Sequence, residues 1–165
     1  MTGRLPSVEL VLLRHAEAER KAATDMERPL TKKGRDDAAA LGRRLASPDL
    51  RPDGVFASPA ARARQTAELA VAGLGDPSPP VRMEAGLYDA AQQDIAKVLG
   101  AHAGAARRVL VVAHNPGLSD LAAWLCNLPP GWSLSKCAAA HIRVRSTWQD
   151  MSRGCGRLID VVEEF

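Results

Sequence analysis

An apolar run, Leu10-Val11-Leu12-Leu13, carries the chain directly into Arg14-His15, and a second, Val109-Leu110-Val111-Val112-Ala113, carries it into His114-Asn115-Pro116. Such runs mark strands of an α/β sheet that deliver their last residues to its edge. In such sheets ligands bind beyond the carboxyl ends of the strands. A third short apolar stretch, Gly54-Val55-Phe56-Ala57, leads into Ser58-Pro59-Ala60-Ala61-Arg62-Ala63-Arg64-Gln65-Thr66. Two strand-end histidines and two or three arginines predict a pocket for a dianionic phosphoryl group, with His15 offered as its nucleophile.

Strand and helix signals alternate along the rest of the chain. Thr31 reads as the N-cap of a helix running through Gly34 to Leu45 and closed by Ser47-Pro48. Leu41, Leu45 and the alanines form its buried stripe. A second helix is expected from Ala60 to Ala72, stopped by Gly73 and Gly75, then a short strand at Val81 to Glu84. A third helix is expected over Ala91 to Ala103, and a fourth in which Pro116 takes a first-turn position ahead of Leu118, Leu121, Ala122 and Leu125. Ala138 to Val144 and Arg157 to Val162 alternate as a terminal antiparallel pair about a turn at Ser152 to Gly156. The expected architecture is α/β: a three-layer α/β/α sandwich around a mixed, mostly parallel sheet, built as one domain over residues 1–165.

Composition narrows the function classes. The net charge of +3 is spread among interspersed acids with no basic run, which argues against a nucleic-acid partner. Cys126, Cys137 and Cys155 are odd in number and lack CxxC spacing, so neither a disulfide framework nor a zinc site is indicated, and no carboxylate cluster has metal-ligand spacing. No apolar stretch approaches the roughly 18 residues of a membrane span, and no signal-peptide core precedes the first strand. The expectation is a cytoplasmic protein that needs neither metal nor other cofactor.

Three segments together resemble the histidine phosphatase superfamily, the phosphoglycerate-mutase-like enzymes, and within it the small bacterial phosphohistidine phosphatases of the SixA type. They are Leu13-Arg14-His15 with an acid at Glu17, Ser58-Pro59-x-x-Arg62-Ala63-x-Gln65-Thr66, and Ala113-His114-Asn115-Pro116. Arg28-Pro29-Leu30-Thr31, followed by Gly34, is a further pattern these enzymes share. The resemblance extends from about Val8 to Val162 and implies the phosphoglycerate-mutase-like fold. It also implies roles: His15 as the nucleophile that forms a phosphoramidate, Arg14 and Arg62 as phosphate clamps, and His114 as a second histidine stabilising the transferring group. Peptide N–H groups at Asn115 and the following helix opening add dipole support. Ser58 is read either as a hydrogen-bond donor to phosphate or as a turn-forming Ser-Pro. Arg64 lies at the variable position and, two residues along a helix from Arg62, points to the other side, as a surface arginine. Gln65 and Thr66 are read as structural, His102 as helix surface and His141 as strand.

Two positions depart from the family's pattern. Ala16 stands where many relatives carry glycine. Mutase-like relatives also place a glutamate general acid near the equivalent of 84–89, where this chain offers Glu84 and Asp89 without a clear match. An alkyl phosphate requires such an acid, worth about 10²–10⁴-fold, whereas imidazole departing from phosphohistidine requires far less help. The expected substrate is therefore a phosphohistidine-bearing protein, such as a phosphotransfer or phosphocarrier domain. The alternative is a small-molecule phosphomonoesterase or phosphomutase using the same histidine.

Overall fold

The computed structural model describes residues 5–163. In chain order the elements are β1 (Val8–Arg14), α1 (Lys32–Leu45), β2 (Gly54–Ala57), α2 (Ala61–Gly73), β3 (Val81–Met83), α3 (Gln92–His102), β4 (Arg108–Ala113), α4 (Gly117–Cys126), β5 (Ala139–Val144) and β6 (Gly156–Val162). Short 3-10 turns lie at Asp25–Glu27 and Ala85–Leu87. The strands form one sheet in the order β3-β2-β4-β1-β5-β6. The first four of these run parallel, while β5 is antiparallel to β1 and β6 antiparallel to β5. This is the mixed, mostly parallel sheet expected from the sequence.

Helices cover both faces, which explains the unbroken apolar character of β1 and β4. Val11, Leu13, Leu110 and Val112 pack with Leu41 and Leu45 of α1 and Ala67 and Ala70 of α2. Leu10, Leu12, Val109 and Val111 face the other way, onto Ile95 and Leu99 of α3 and Leu118, Leu121 and Leu125 of α4. Each of these side chains is at most 1% exposed. Burying one Leu, Ile or Val contributes about 1.5–3 kcal/mol, so the two apolar layers, rather than any single polar contact, hold the sandwich together. The alanine-rich stripes let α1 and α2 approach closely. A Cβ on Gly42 would lie only 2.4 Å from the Ala70 carbonyl oxygen.

Local signals were mostly obeyed. Thr31 caps α1 by accepting from the Gly34 N–H at 3.0 Å. The terminal strands pair as expected, with a register shift between His141 and Ile142. Two details differ. Gly73 lies inside α2 rather than stopping it, and the chain turns at Gly75, whose φ of +75° suits glycine. Pro116 sits one residue ahead of α4 as its cap, not in the first turn. Among the described residues no helix is long and apolar enough to cross a membrane.

Candidate active site

Strand register gathers the three polar segments at one edge. Arg14 is level with Ala113 across β1 and β4, and Ala57 with Val112 across β2 and β4. The next residues in each strand are His15, His114 and Ser58, so all three leave the sheet side by side. The His15 and His114 rings lie 5.4 Å apart between centroids, tilted by 56°.

The His15 ring is oriented by its own neighbour. Its Nδ1 is 2.8 Å from the Ala16 carbonyl oxygen, which can only accept, so the proton resides on Nδ1 and Nε2 keeps its lone pair. Among the described residues no hydrogen bond engages Nε2. The carbonyl of Ala16 is itself held in place, because the Ala16 N–H donates to Thr66 Oγ1 at 3.0 Å and that hydroxyl donates to the Arg62 carbonyl at 2.6 Å. Burial pushes the His15 pKa down to about 4, aided by His114, Arg62 and Arg14 and only partly opposed by the bond to Ala16. A neutral imidazole with a free lone pair is the reactive form of a nitrogen nucleophile.

His114 is held through Ser58, whose Oγ is 2.8 Å from His114 Nε2 and also accepts from the Ala60 N–H at 3.3 Å. With the hydroxyl donating to Nε2, the ring proton stands on Nδ1. Ser58 is fully buried, so it serves His114 rather than standing free as a phosphate ligand. Burial, then the Arg62 charge, pushes His114 down to about 4 as well, with Asp25 acting in the opposite sense. Among the described residues only two buried side-chain nitrogens have no partner, His114 Nδ1 and Arg14 Nε. Buried donors are almost always satisfied, so two orphans in one site are places for a ligand's acceptors.

The guanidiniums are fixed from outside the pocket. Arg14 Nη1 donates to the Leu134 carbonyl at 3.1 Å, and burial lowers its pKa from the ordinary arginine value. Arg62 donates from Nη1 to the Asp25 carbonyl at 2.8 Å and from Nη2 to Asp25 Oδ2 at 3.0 Å. The same carboxylate accepts from Tyr88 Oη at 2.6 Å and from Arg28 Nη1 at 3.0 Å. These donors, Tyr88 foremost and then Arg28, hold Asp25 well below the usual carboxylate range. Tyr88 also stands edge-on to His114, with centroids 5.8 Å apart. Among the described residues no group of three or more His, Cys, Asp or Glu side chains is arranged to hold a metal ion.

A family model for the histidine phosphatase superfamily (branch 1) matches residues 10–95, the part of the chain that carries Arg14, His15, Ser58 and Arg62. An uncharacterized protein of Picosynechococcus sp. is 31% identical over 141 residues, 84% of this chain and 86% of its own length. The chain belongs to the histidine phosphatase superfamily. Among solved structures, this histidine phosphatase is similar to a chain from Nakamurella multipartita assigned as a SixA phosphohistidine phosphatase (28% identity, TM-score 0.83, 98% of each chain). It is also similar to the protein histidine phosphatase SixA in complex with tungstate (25% identity, TM-score 0.80, 94% of this chain and 97% of that one). The expected fold and the expected enzyme class, a phosphatase with a histidine nucleophile, both stand.

The remaining sequence candidates of this histidine phosphatase fall in different places. The Asn115 side chain is committed to the fold: Oδ1 accepts from Ser119 N–H at 3.2 Å and Oγ at 2.7 Å, and Nδ2 donates to the Leu134 carbonyl at 2.8 Å. Only its peptide N–H remains suited to substrate. Glu84, one of the two acids offered by the sequence, has its carboxylate drawn aside by Arg82 at 3.6 Å and His102 at 3.7 Å. Asp89 is exposed beside Tyr88, in the left-handed region at φ +52°, and takes part in no ion pair among the described residues. Arg64 pairs with Glu68 on the surface of α2, as expected for the variable position. His141 is buried against Glu9, away from the site. Sequence reasoning missed Asp25 and Tyr88. Asp25 is one acid in a charge-rich loop, 37 residues from the arginine it holds. The available hint at Tyr88 was that it is the only tyrosine in the chain, placed just beyond a short strand.

Proposed function

We propose that this phosphatase removes the phosphoryl group from a phosphohistidine of a protein, through a phosphorylated His15. The observation that carries the reading is one cluster of three unbonded atoms: a lone pair on His15 Nε2, and the two buried unpartnered donors Arg14 Nε and His114 Nδ1. Phosphoryl transfer asks the protein for an in-line nucleophile and for cations and donors at the equatorial oxygens. His15 supplies the first; Arg14, Arg62 and His114 supply the second. Nε2 forms the new P–N bond as the leaving group departs with the old bonding pair. Water then attacks phosphorus, the pair returns to Nε2 to restore the neutral ring with its proton still on Nδ1, and both protons of the water leave on the oxygens of the released phosphate.

The choice of phosphohistidine rests on the leaving-group side. Glu84 is turned toward Arg82 and His102, and Asp25 is kept ionised by its three donors and so holds no proton for an alkoxide. Imidazole needs no such proton. The likeness to SixA structures supports the same choice, and the partner protein is expected to carry its phosphohistidine on an exposed surface able to reach the sheet edge. Steady-state kinetics on a phosphohistidine protein, p-nitrophenyl phosphate and an alkyl monoester such as 3-phosphoglycerate test it. The first two should be cleaved and the third should be slower by 10²-fold or more. Comparable rates on the alkyl ester would move the enzyme to the small-molecule phosphomonoesterases.

A further inference from the structure

Asp25 sits in an electrostatically awkward position for a site that binds a dianion. Its carboxylate lies against Arg62, partly neutralising that guanidinium, and its side chain is 51% exposed whereas that of Arg62 is only 9% exposed. The carboxylate therefore lies on the rim, on the solvent side of the guanidinium it bonds. Tyr88 stands beside it on the same rim, edge-on to His114 and donating to Oδ2. His15 is buried, at 9% exposed. In-line transfer puts the leaving group across phosphorus from the buried nucleophile, hence toward solvent, the side on which the more exposed carboxylate of Asp25 lies. Orienting Arg62 explains the Arg62 bonds but not why an ionised, half-exposed oxygen pair is kept where the leaving group must pass.

We propose that Asp25 is the leaving-group subsite, its carboxylate accepting a hydrogen bond from the non-bridging ring N–H of the substrate's phosphohistidine. This rests on the phosphohistidine reading above and goes one step further, by naming the residue that makes the site prefer an imidazole. The chemistry balances without an acid. The substrate ring carries a proton on its non-bridging nitrogen, and the phosphorylated ring is then cationic. His15 Nε2 donates its lone pair to phosphorus, the old P–N bond breaks, and its electron pair stays on the substrate ring, which leaves as neutral imidazole with that proton in place. A carboxylate facing this ring favours its protonated, more labile form. The same carboxylate repels an alkoxide, on which negative charge grows as it departs. The charged and titratable groups facing Asp25 are Arg28 from its own loop, Arg62 from α2, and Tyr88, with His114 and Asp89 beyond it. The three that bond the carboxylate directly stabilise its ionised form.

The test compares kcat/KM, which reports transfer to the enzyme, for phosphoimidazole and for p-nitrophenyl phosphate in the parent, Asp25→Asn and Tyr88→Phe. Hydrogen bonds to charged groups are worth about 10–100-fold in rate. Asp25→Asn should lower kcat/KM for phosphoimidazole by that factor, and by at least about tenfold more than for p-nitrophenyl phosphate. Tyr88→Phe removes one donor but leaves the carboxylate charge, and should keep the ratio of the two substrates within a few-fold of the parent. Thermal unfolding checks that both variants fold. Equal losses on the two substrates in Asp25→Asn would show that Asp25 acts only by holding Arg62 and would overturn the proposal. So would an unchanged phosphoimidazole rate, or a gain on both substrates with tighter binding of inorganic phosphate. A parent enzyme that cleaves p-nitrophenyl phosphate but not phosphoimidazole would instead refute the phosphohistidine reading itself.

Discussion

Replacing Ser58 with alanine should separate the positioning of His114 from its presence. Ser58 Oγ joins His114 Nε2 and the Ala60 N–H in a fully buried spot. Alanine removes no apolar bulk from the core, but it strips both groups of their partner. A buried polar group left without a hydrogen bond costs about 1–3 kcal/mol. For a protein of this length each kcal/mol shifts Tm by roughly 2–4 °C, so Ser58→Ala should unfold about 2–12 °C below the parent. Without the hydroxyl, the His114 proton divides between its two nitrogens and the ring is free to turn, so the donor at Nδ1 is no longer held toward the pocket. A donor aimed at developing charge is worth about 10²–10³-fold when removed outright. Ser58→Ala should forfeit only part of that, about tenfold in kcat, while His114→Ala should forfeit all of it. Steady-state rates on p-nitrophenyl phosphate, measured well below the Tm of each variant, separate the two. A Ser58→Ala enzyme with parental kcat would refute the role given to this hydrogen bond, whatever its Tm.

The two site histidines should also set the pH dependence of stability. His15 and His114 are depressed to about 4 in the folded chain, against an ordinary value of 6.5. The unfolded chain thus takes up protons first as pH falls, so stability is fully present above about 6.5 and is lost progressively down to about 4. Tm measured across this window should drop less steeply in His15→Asn than in the parent; equal slopes would show that His15 titrates normally. Arg62→Lys should lower kcat/KM by about 10²–10³-fold through loss of the two-pronged guanidinium, while Arg64→Ala, which breaks only a surface pair, should stay within about twofold. A matching loss in Arg64→Ala would mean that the wrong arginine has been placed at the phosphate.

The sequence made the sheet and its catalytic edge legible because the apolar runs of β1 and β4 end abruptly in polar residues. Burial on two faces imposes that pattern, and the last residues of parallel neighbours emerge at one place. Arg14, His15, Ser58, Arg62 and His114 were therefore readable as a group. Asp25 and Tyr88 were not, because their roles depend on how the 17–31 loop and the segment after β3 fold over the edge. That fold is set by contacts distant in sequence, such as Leu30 N–H to Gln65 Oε1 at 2.8 Å and Thr31 Oγ1 to Glu17 Oε2 at 2.8 Å. Glu84 was misleading for a related reason. Its place beside the site edge follows from β3, but the direction of its side chain is decided by Arg82 and His102. Asn115 and Ser58 have polar groups of the right kind at the right strand ends, and only the structure shows them spent on supporting neighbours.

The central claim is that the phosphoryl group passes through His15 Nε2. Rapid acid-free quenching during turnover of ³²P-labelled substrate, followed by peptide mapping by mass spectrometry under basic conditions, reads it directly. The account predicts a base-stable, acid-labile phosphoryl group on the peptide containing His15. It should be absent in His15→Ala, along with turnover, and should persist longer in variants that slow attack by water. A phosphoryl group on another residue, or a His15→Ala enzyme with parental turnover, would contradict it.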